Sequence, residues 1–164
     1  MAGGEMATDT EARIITVRDN IVADIVAEIA KKNSAGDAIA QRFDVTTDYI
    51  DEYQLENMRE VRVNIKIVGD TTEPEARHPS SEDTYQYEIS IQQACRRYDT
   101  DKLDLLTNLA KRISKRYYPN KQLSLANPVV CTVNETELYN FVCLRDHQHF
   151  HSRINLTFRE FVND

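Results

Sequence analysis

The sequence predicts an α+β fold: a mostly antiparallel sheet of four or five strands with two amphipathic helices packed on one face. Three observations carry that expectation. Phe150, Ser152, Ile154, Leu156 and Phe158 share one parity, while His151, Arg153, Asn155, Thr157 and Arg159 share the other. Alternation at period 2 over nine residues marks a strand with one buried and one wet face. Val61, Val63, Ile65 and Ile67, and again Tyr85, Tyr87, Ile89 and Ile91, alternate with polar residues in the same way. Two other segments instead place apolar residues three and four apart, the spacing of one helix face.

The chain opens on a polar arm, residues 1–12, followed by a single domain over 13–164. Ile14, Val17, Ile21, Ile25 and Ile29 predict a first helix of about five turns, closed by the turn residues Asn33-Ser34-Ala35-Gly36-Asp37. Residues 38–60 scatter Phe43, Val45, Tyr49, Ile50, Tyr53 and Leu55 among acids and read as irregular. A strand follows from Glu60 to Gly69. Asp70–Asp83, polar and without apolar anchors, reads as a long loop. With the strand from Tyr85 it makes a hairpin with a projecting arm. Leu103, Leu106, Leu109, Ala110, Ile113 and Tyr117 predict a second helix over Thr100–Tyr118. Asp99, Thr100 or Asp101 suits its cap, Lys111, Arg112, Lys115 and Arg116 suit its C-terminal end, and Pro119 stops it. Val129–Val133 is a short strand. Tyr139–His147 fits either a strand or a helical turn, and the closing strand follows.

Composition narrows the function classes. At 164 residues, 41% apolar and 29% charged, the chain matches an ordinary globular domain. No apolar run approaches the roughly 18 residues that would cross a membrane, and the N-terminus lacks the basic and apolar regions of a secretory signal. A net charge of −7 argues against clamping nucleic-acid phosphates, which takes clustered Lys and Arg. Cys95, Cys131 and Cys143 form no C-x-x-C and read as buried free thiols of a reducing compartment.

Few constellations carry chemistry. In one strand, His147, His149 and His151 would share a face, with Cys143 as the nearest further ligand. Neighbours two apart lie ~6–7 Å apart at Cα, so three in a row hold a metal less readily than ligands gathered from two elements. A solvated or subunit-facing histidine stripe is the plainer reading. Asp48, Asp51, Glu52 and Glu56 crowd one short segment, unlike the opposed carboxylates of a glycosidase. Ser80 and Ser81 beside His78 lack a nucleophile elbow, and Gly3-Gly4 opens no phosphate loop. The expectation is no catalytic site, no cofactor and no resident metal.

The order of elements and several local strings together resemble the tail terminator, or neck, proteins of long-tailed bacteriophages. The matching strings are Arg42-Phe43-Asp44-Val45-Thr46-Thr47-Asp48-Tyr49 after the first helix, Val61-Arg62-Val63-Asn64-Ile65, and a polar loop containing Arg77. They continue with Tyr85-Gln86-Tyr87-Glu88-Ile89-Ser90-Ile91, the Leu103, Leu106 and Leu109 helix, and the ending from Leu144 through Phe150-His151-Ser152 to Ile154-Asn155-Leu156-Thr157-Phe158-Arg159. The resemblance covers roughly Ile14 to Phe161. It rests on pattern and order, since the family has no motif of invariant chemical residues.

The resemblance implies a ring, commonly a hexamer, seated on the tail tube and facing the head connector. It implies partners in further copies of the chain, a tail tube protein and a head-completion or connector protein. DNA would pass through without specific binding, along a channel wall where acids outnumber bases. The chain would reside in the virion, and in the host cytoplasm during assembly. Arg77, Glu82 and Asp83 of the loop, with His149 and His151 of the last strand, are the candidate subunit or ring contacts. The alternatives are another neck or tail ring component, such as a head-completion stopper, and a small metal-binding enzyme using the histidine string.

Overall fold

The computed structural model describes residues 12–34, 43–50, 59–74, 80–117, 122–123 and 129–163. In chain order the elements are α1 (Arg13–Ser34), β1 (Phe43–Thr46), β2 (Val61–Pro74), β3 (Ser80–Ala94) and α2 (Thr100–Arg116). β4 (Gln122–Leu123), β5 (Val129–Glu137), α3 (Phe141–His147) and β6 (His149–Asn163) follow. They build one sheet in the order β1-β2-β3-β6-β5-β4, antiparallel throughout except for the parallel β1–β2 pair. The fold is α+β, as expected. The closing strand sits inside the sheet, between β3 and β5, rather than at its edge.

Alternation places the core. Val63 and Ile65 of β2, Tyr85, Tyr87, Ile89 and Ile91 of β3, and Phe150, Ile154, Leu156 and Phe158 of β6 are buried on one face. Against them pack Val17, Ile21 and Ile25 of α1 and Leu106, Leu109, Ala110 and Ile113 of α2. Tyr87 and Tyr117 meet the Phe158 ring edge-on, with centroids 5.7 and 6.3 Å apart. Each buried phenol finds an acceptor: Tyr85 on Glu160, Tyr87 on the Ile14 carbonyl, Tyr117 on Asp24. Burial raises the pKa of all three above the ordinary phenol value.

Two ion pairs pin the helices. Arg13 at the start of α1 reaches the buried Glu160 carboxylate, and Arg116 at the end of α2 holds Asp24 through two nitrogens at 3.2 and 2.8 Å. Asp99 caps α2 by accepting from the Lys102 amide.

Three expectations are corrected. The Asp70–Asp83 loop is largely strand: Asp70 pairs with Tyr85 and Pro74 with Ser81, while β6 continues along β3 until Asn163 faces Ser80. Backbone pairing sustains a strand without an apolar face, so absent anchors misled. The irregular 38–60 stretch contains β1, where Phe43 and Val45 alternate beside Val61 and Val63. Tyr139–His147 resolves as the α3 turn, capped by Asn140 and closed by Gln148 in the left-handed region at φ 49°. The three histidines therefore do not share a strand, because His147 ends that helix. The sheet's four long strands carry the expected architecture, with β1 and β4 as short edge strands.

Candidate assembly surfaces

The sequence-selected contact residues fall at opposite ends of the sheet. Glu82 and Asp83 lie on the three-stranded arm formed by the far ends of β2, β3 and β6. Glu82 points away from the helices and pairs with Arg159 at 3.5 Å, whereas Asp83 lies on the helix-side parity, 3.5 Å from the Tyr85 hydroxyl. His149 and His151 lie at the other end, opposite Ala94 and Gln92. Twelve residues of strand, ~40 Å, separate the two groups. Arg77, Asp51, Glu52 and Glu56 lie outside the described residues. Asp48 is exposed, and its backbone is bound by Asn64.

His149 and His151 share a face and stack with ring centroids 5.5 Å apart and planes 15° apart. Desolvation, then the neighbouring His147, lowers the His149 pKa below its ordinary value, which favours the neutral imidazole there. Among the described residues no three His, Cys, Asp or Glu side chains converge as metal ligands. Cys95, Cys131 and Cys143 are free thiols, the first two buried. Burial alone pushes the Cys131 thiol up to about 12.

An open cleft of about 670 Å³ lies where β3 leaves for α2 and α3 returns to β6, lined in part by Cys95, Asp99, Lys102, Asp146 and His147. Asp146 is held by the Arg145 guanidinium, and three other polar groups serve the backbone. Lys102 donates to the Ala94 carbonyl, Asp99 caps α2, and the Cys95 thiol donates to the Arg96 carbonyl. Burial raises the Cys95 pKa, against a thiolate nucleophile.

The sheet face turned away from α1 and α2, expected to be wet, is in good part buried. Reading across it, Asn64, Ser90 and Arg153 share one row, Arg62, Gln92 and His151 the row beside it, and Lys66, Glu88 and Asn155 the row on the other side. Asn64, Ser90, Gln92, His151 and Thr157 are buried although polar. Charges pair within the face: Lys66 with Glu88 at 3.0 Å, Arg159 with Glu82, and Arg62 with Asp44 at 3.6 Å. Only the polar parity signalled this face beforehand.

Exposed apolar groups gather at the histidine end. Tyr139 precedes α3, and Phe141 and Val142 open it; the helix has no buried residue, and Phe141 is 62% exposed under the Arg145 guanidinium. Tyr98, also exposed, stacks with Arg97 near α2. Among the described residues, no helix is long and apolar enough to cross a membrane. Compared with family models and with curated proteins, the chain matches none.

Proposed function

We propose that this chain is a structural ring subunit of the tail-terminator kind. Several copies, with six the expected number, cap the tail tube of a long-tailed phage and join it to the head–neck connector. The observation that carries the reading is the one-sided sheet. Both long helices cover one face, and the opposite face is polar, with Arg62, Lys66 and Arg159 each beside a carboxylate. A ring wall needs that asymmetry: a rigid core behind, and a face toward the lumen that does not grip DNA. Paired charges, more than a surplus of acid, serve that end on the described part of the face. A cation already held by a carboxylate releases fewer counterions from phosphate.

The two ends of the long strands suit axial neighbours. The arm would meet one adjacent ring and the exposed α3 end the other, the tube protein and a head-completion or connector protein being the partners. A head-completion stopper or another neck ring shares these requirements, and the test separates them by neighbour.

The experiment is native mass measurement and negative-stain imaging of the purified chain, alone and with polymerising tube protein. A species near six times the 18.9 kDa chain mass, and tubes that stop growing when it is added, support the reading. Rings that bind the connector and ignore the tube favour the stopper. A monomer at every concentration, or tight salt-sensitive duplex binding, overturns the reading.

A further inference from the structure

Cations without carboxylate partners collect where β3 gives way to α2 and α3 returns to β6. The open cleft there carries Arg96, Lys102 and His147, with Arg97 on the adjoining turn. Both acids of the cleft are already engaged. Asp146 accepts from two nitrogens of Arg145 at 2.7 and 3.0 Å, and those bonds hold its carboxyl below the ordinary carboxylate value. Asp99 caps α2. The cations are not so engaged. Lys102 gives one N–H to the Ala94 carbonyl and has two more to give. Arg96 and Arg97 are exposed, and among the described residues neither guanidinium pairs with a carboxylate. The His147 imidazole, exposed at the end of α3, adds a further N–H donor.

Aromatic groups frame this set. Tyr98 is 80% exposed with the Arg97 guanidinium 4.8 Å from its ring centre, and the exposed Phe141 ring has Arg145 at 5.3 Å. Val142 is exposed beside it, and α3 buries none of its residues.

We infer that the cleft and its rim dock a carboxylate-bearing segment of a partner protein, one that sets an aromatic or aliphatic side chain beside its acids. Charge complementarity selects the acids. Arginine offers a carboxylate a two-pronged fork of N–H donors, and Lys102 and His147 supply others from the cleft wall. The stacked rings select the apolar side chain. Aromatic residues and Arg are enriched at interface hot spots, and an arginine laid on a ring has less freedom to lose on binding. A nucleic acid fits less well. A strand of phosphates needs an unbroken basic track, and Asp99, Asp101 and Asp146 interrupt this one in a chain of net charge −7. A second copy also fits less well. Its acidic arm, with Asp70, Glu82 and Asp83, lies at the opposite end of the strands, and contact between opposite ends strings copies into an open filament. In the ring reading this end faces an adjacent ring and the segment belongs to that neighbour, but the site is complete within one copy.

The test displays short random peptides on yeast and selects them with the full chain. The expected enrichment is for peptides that carry several Asp or Glu with a Phe, Leu or Tyr among them. An enriched peptide, made with a fluorophore, should lose about tenfold in affinity for the double variant Arg96→Ala, Arg97→Ala, and about tenfold for Phe141→Ser. All three positions are exposed, so both variants should keep the melting temperature and the oligomeric state of the wild type. Exchanging the peptide's acids for their amides should abolish most of the binding. Enrichment of acid-free peptides, no enrichment, or full affinity in the double variant would overturn the site. So would duplex DNA bound more tightly than the acidic peptide, or self-association that the double variant loses. Wild-type rings that bind no acidic peptide would remove the site and leave the ring reading standing. A chain that is monomeric at every concentration and still binds the peptide through Arg96 and Arg97 would do the reverse.

Discussion

Removing the Asn64 side chain should release β1 from the sheet at a cost of about 2 kcal/mol. Asn64 is fully buried, with 0% exposure. Its Oδ1 accepts from the Thr46 hydroxyl at 2.8 Å and from the Asp48 amide at 2.7 Å, and its Nδ2 donates to the Asp48 carbonyl at 2.9 Å. These bonds fasten the last residues of β1 and the turn beyond it to β2. A hydrogen bond contributes about 1 kcal/mol net, so Asn64→Ala forfeits about 3 kcal/mol if every partner stays dry. Thr46 is half-buried and Asp48 exposed, so water recovers part of that, leaving about 2 kcal/mol. For a domain of this size the loss corresponds to a Tm lower by roughly 4–8 °C.

Asn64→Asp is the informative companion. It keeps the acceptor but loses the donor and places a carboxylate where no solvent reaches, which costs several kcal/mol near pH 7. Its folded-state pKa is raised by that burial, so the penalty shrinks as pH falls and the carboxyl protonates. Urea melts of both variants at pH 7 and pH 4.5, with amide exchange along β1, make the measurement. Asn64→Ala within about 0.5 kcal/mol of wild type would refute the reasoning. So would protection lost equally in all strands rather than first in β1.

Four further outcomes follow from the same structure. Leu156→Asp should unfold the domain, because Leu156 is 1% exposed at the centre of β6, while Asn155→Asp on the opposite, half-buried side should melt near wild type; equal Tm values would mean the strand faces are exchanged. Asp24→Asn should cost about 1–3 kcal/mol in denaturant, since Arg116 and the buried Tyr117 hydroxyl both depend on that carboxylate. The Cys131 thiol is raised from 9 to about 12 by burial, so its protonated form favours the fold. Stability should be full below pH 9 and fall between pH 9 and 12, a decline flatter in Cys131→Ala by alkaline melts. His149 is lowered by desolvation, so its contribution is present above its ordinary value of 6.5 and is lost as pH falls through the folded value. His149→Gln should therefore soften the acid side of the stability profile, measured by urea midpoints from pH 7.5 to 5.

The sequence by itself determined the faces. Period-2 alternation around Val63, Ile89 and Leu156 and the helical spacing of Val17 and Leu109 named nearly every buried apolar side chain, but not the buried polar ones Asn64, Ser90, Gln92, His151 and Thr157, which it placed on the wet face. It also placed the α2 cap among Asp99, Thr100 and Asp101, of which the structure uses Asp99, and the end of α2, since both depend on residues within a few positions. What lay beyond it depended on strands far apart in the chain. β6 became an inner strand, and Asp70–Pro74 became strand, because distant backbone donors and acceptors were brought alongside; pairing of that kind leaves no periodic mark on a polar segment. His147 was separated from His149 by one left-handed residue, Gln148, which closes α3 by donating its amide to the Cys143 carbonyl. The polar face opposite the helices likewise exists only once the strand order is set, for it is assembled from strands far apart in the chain.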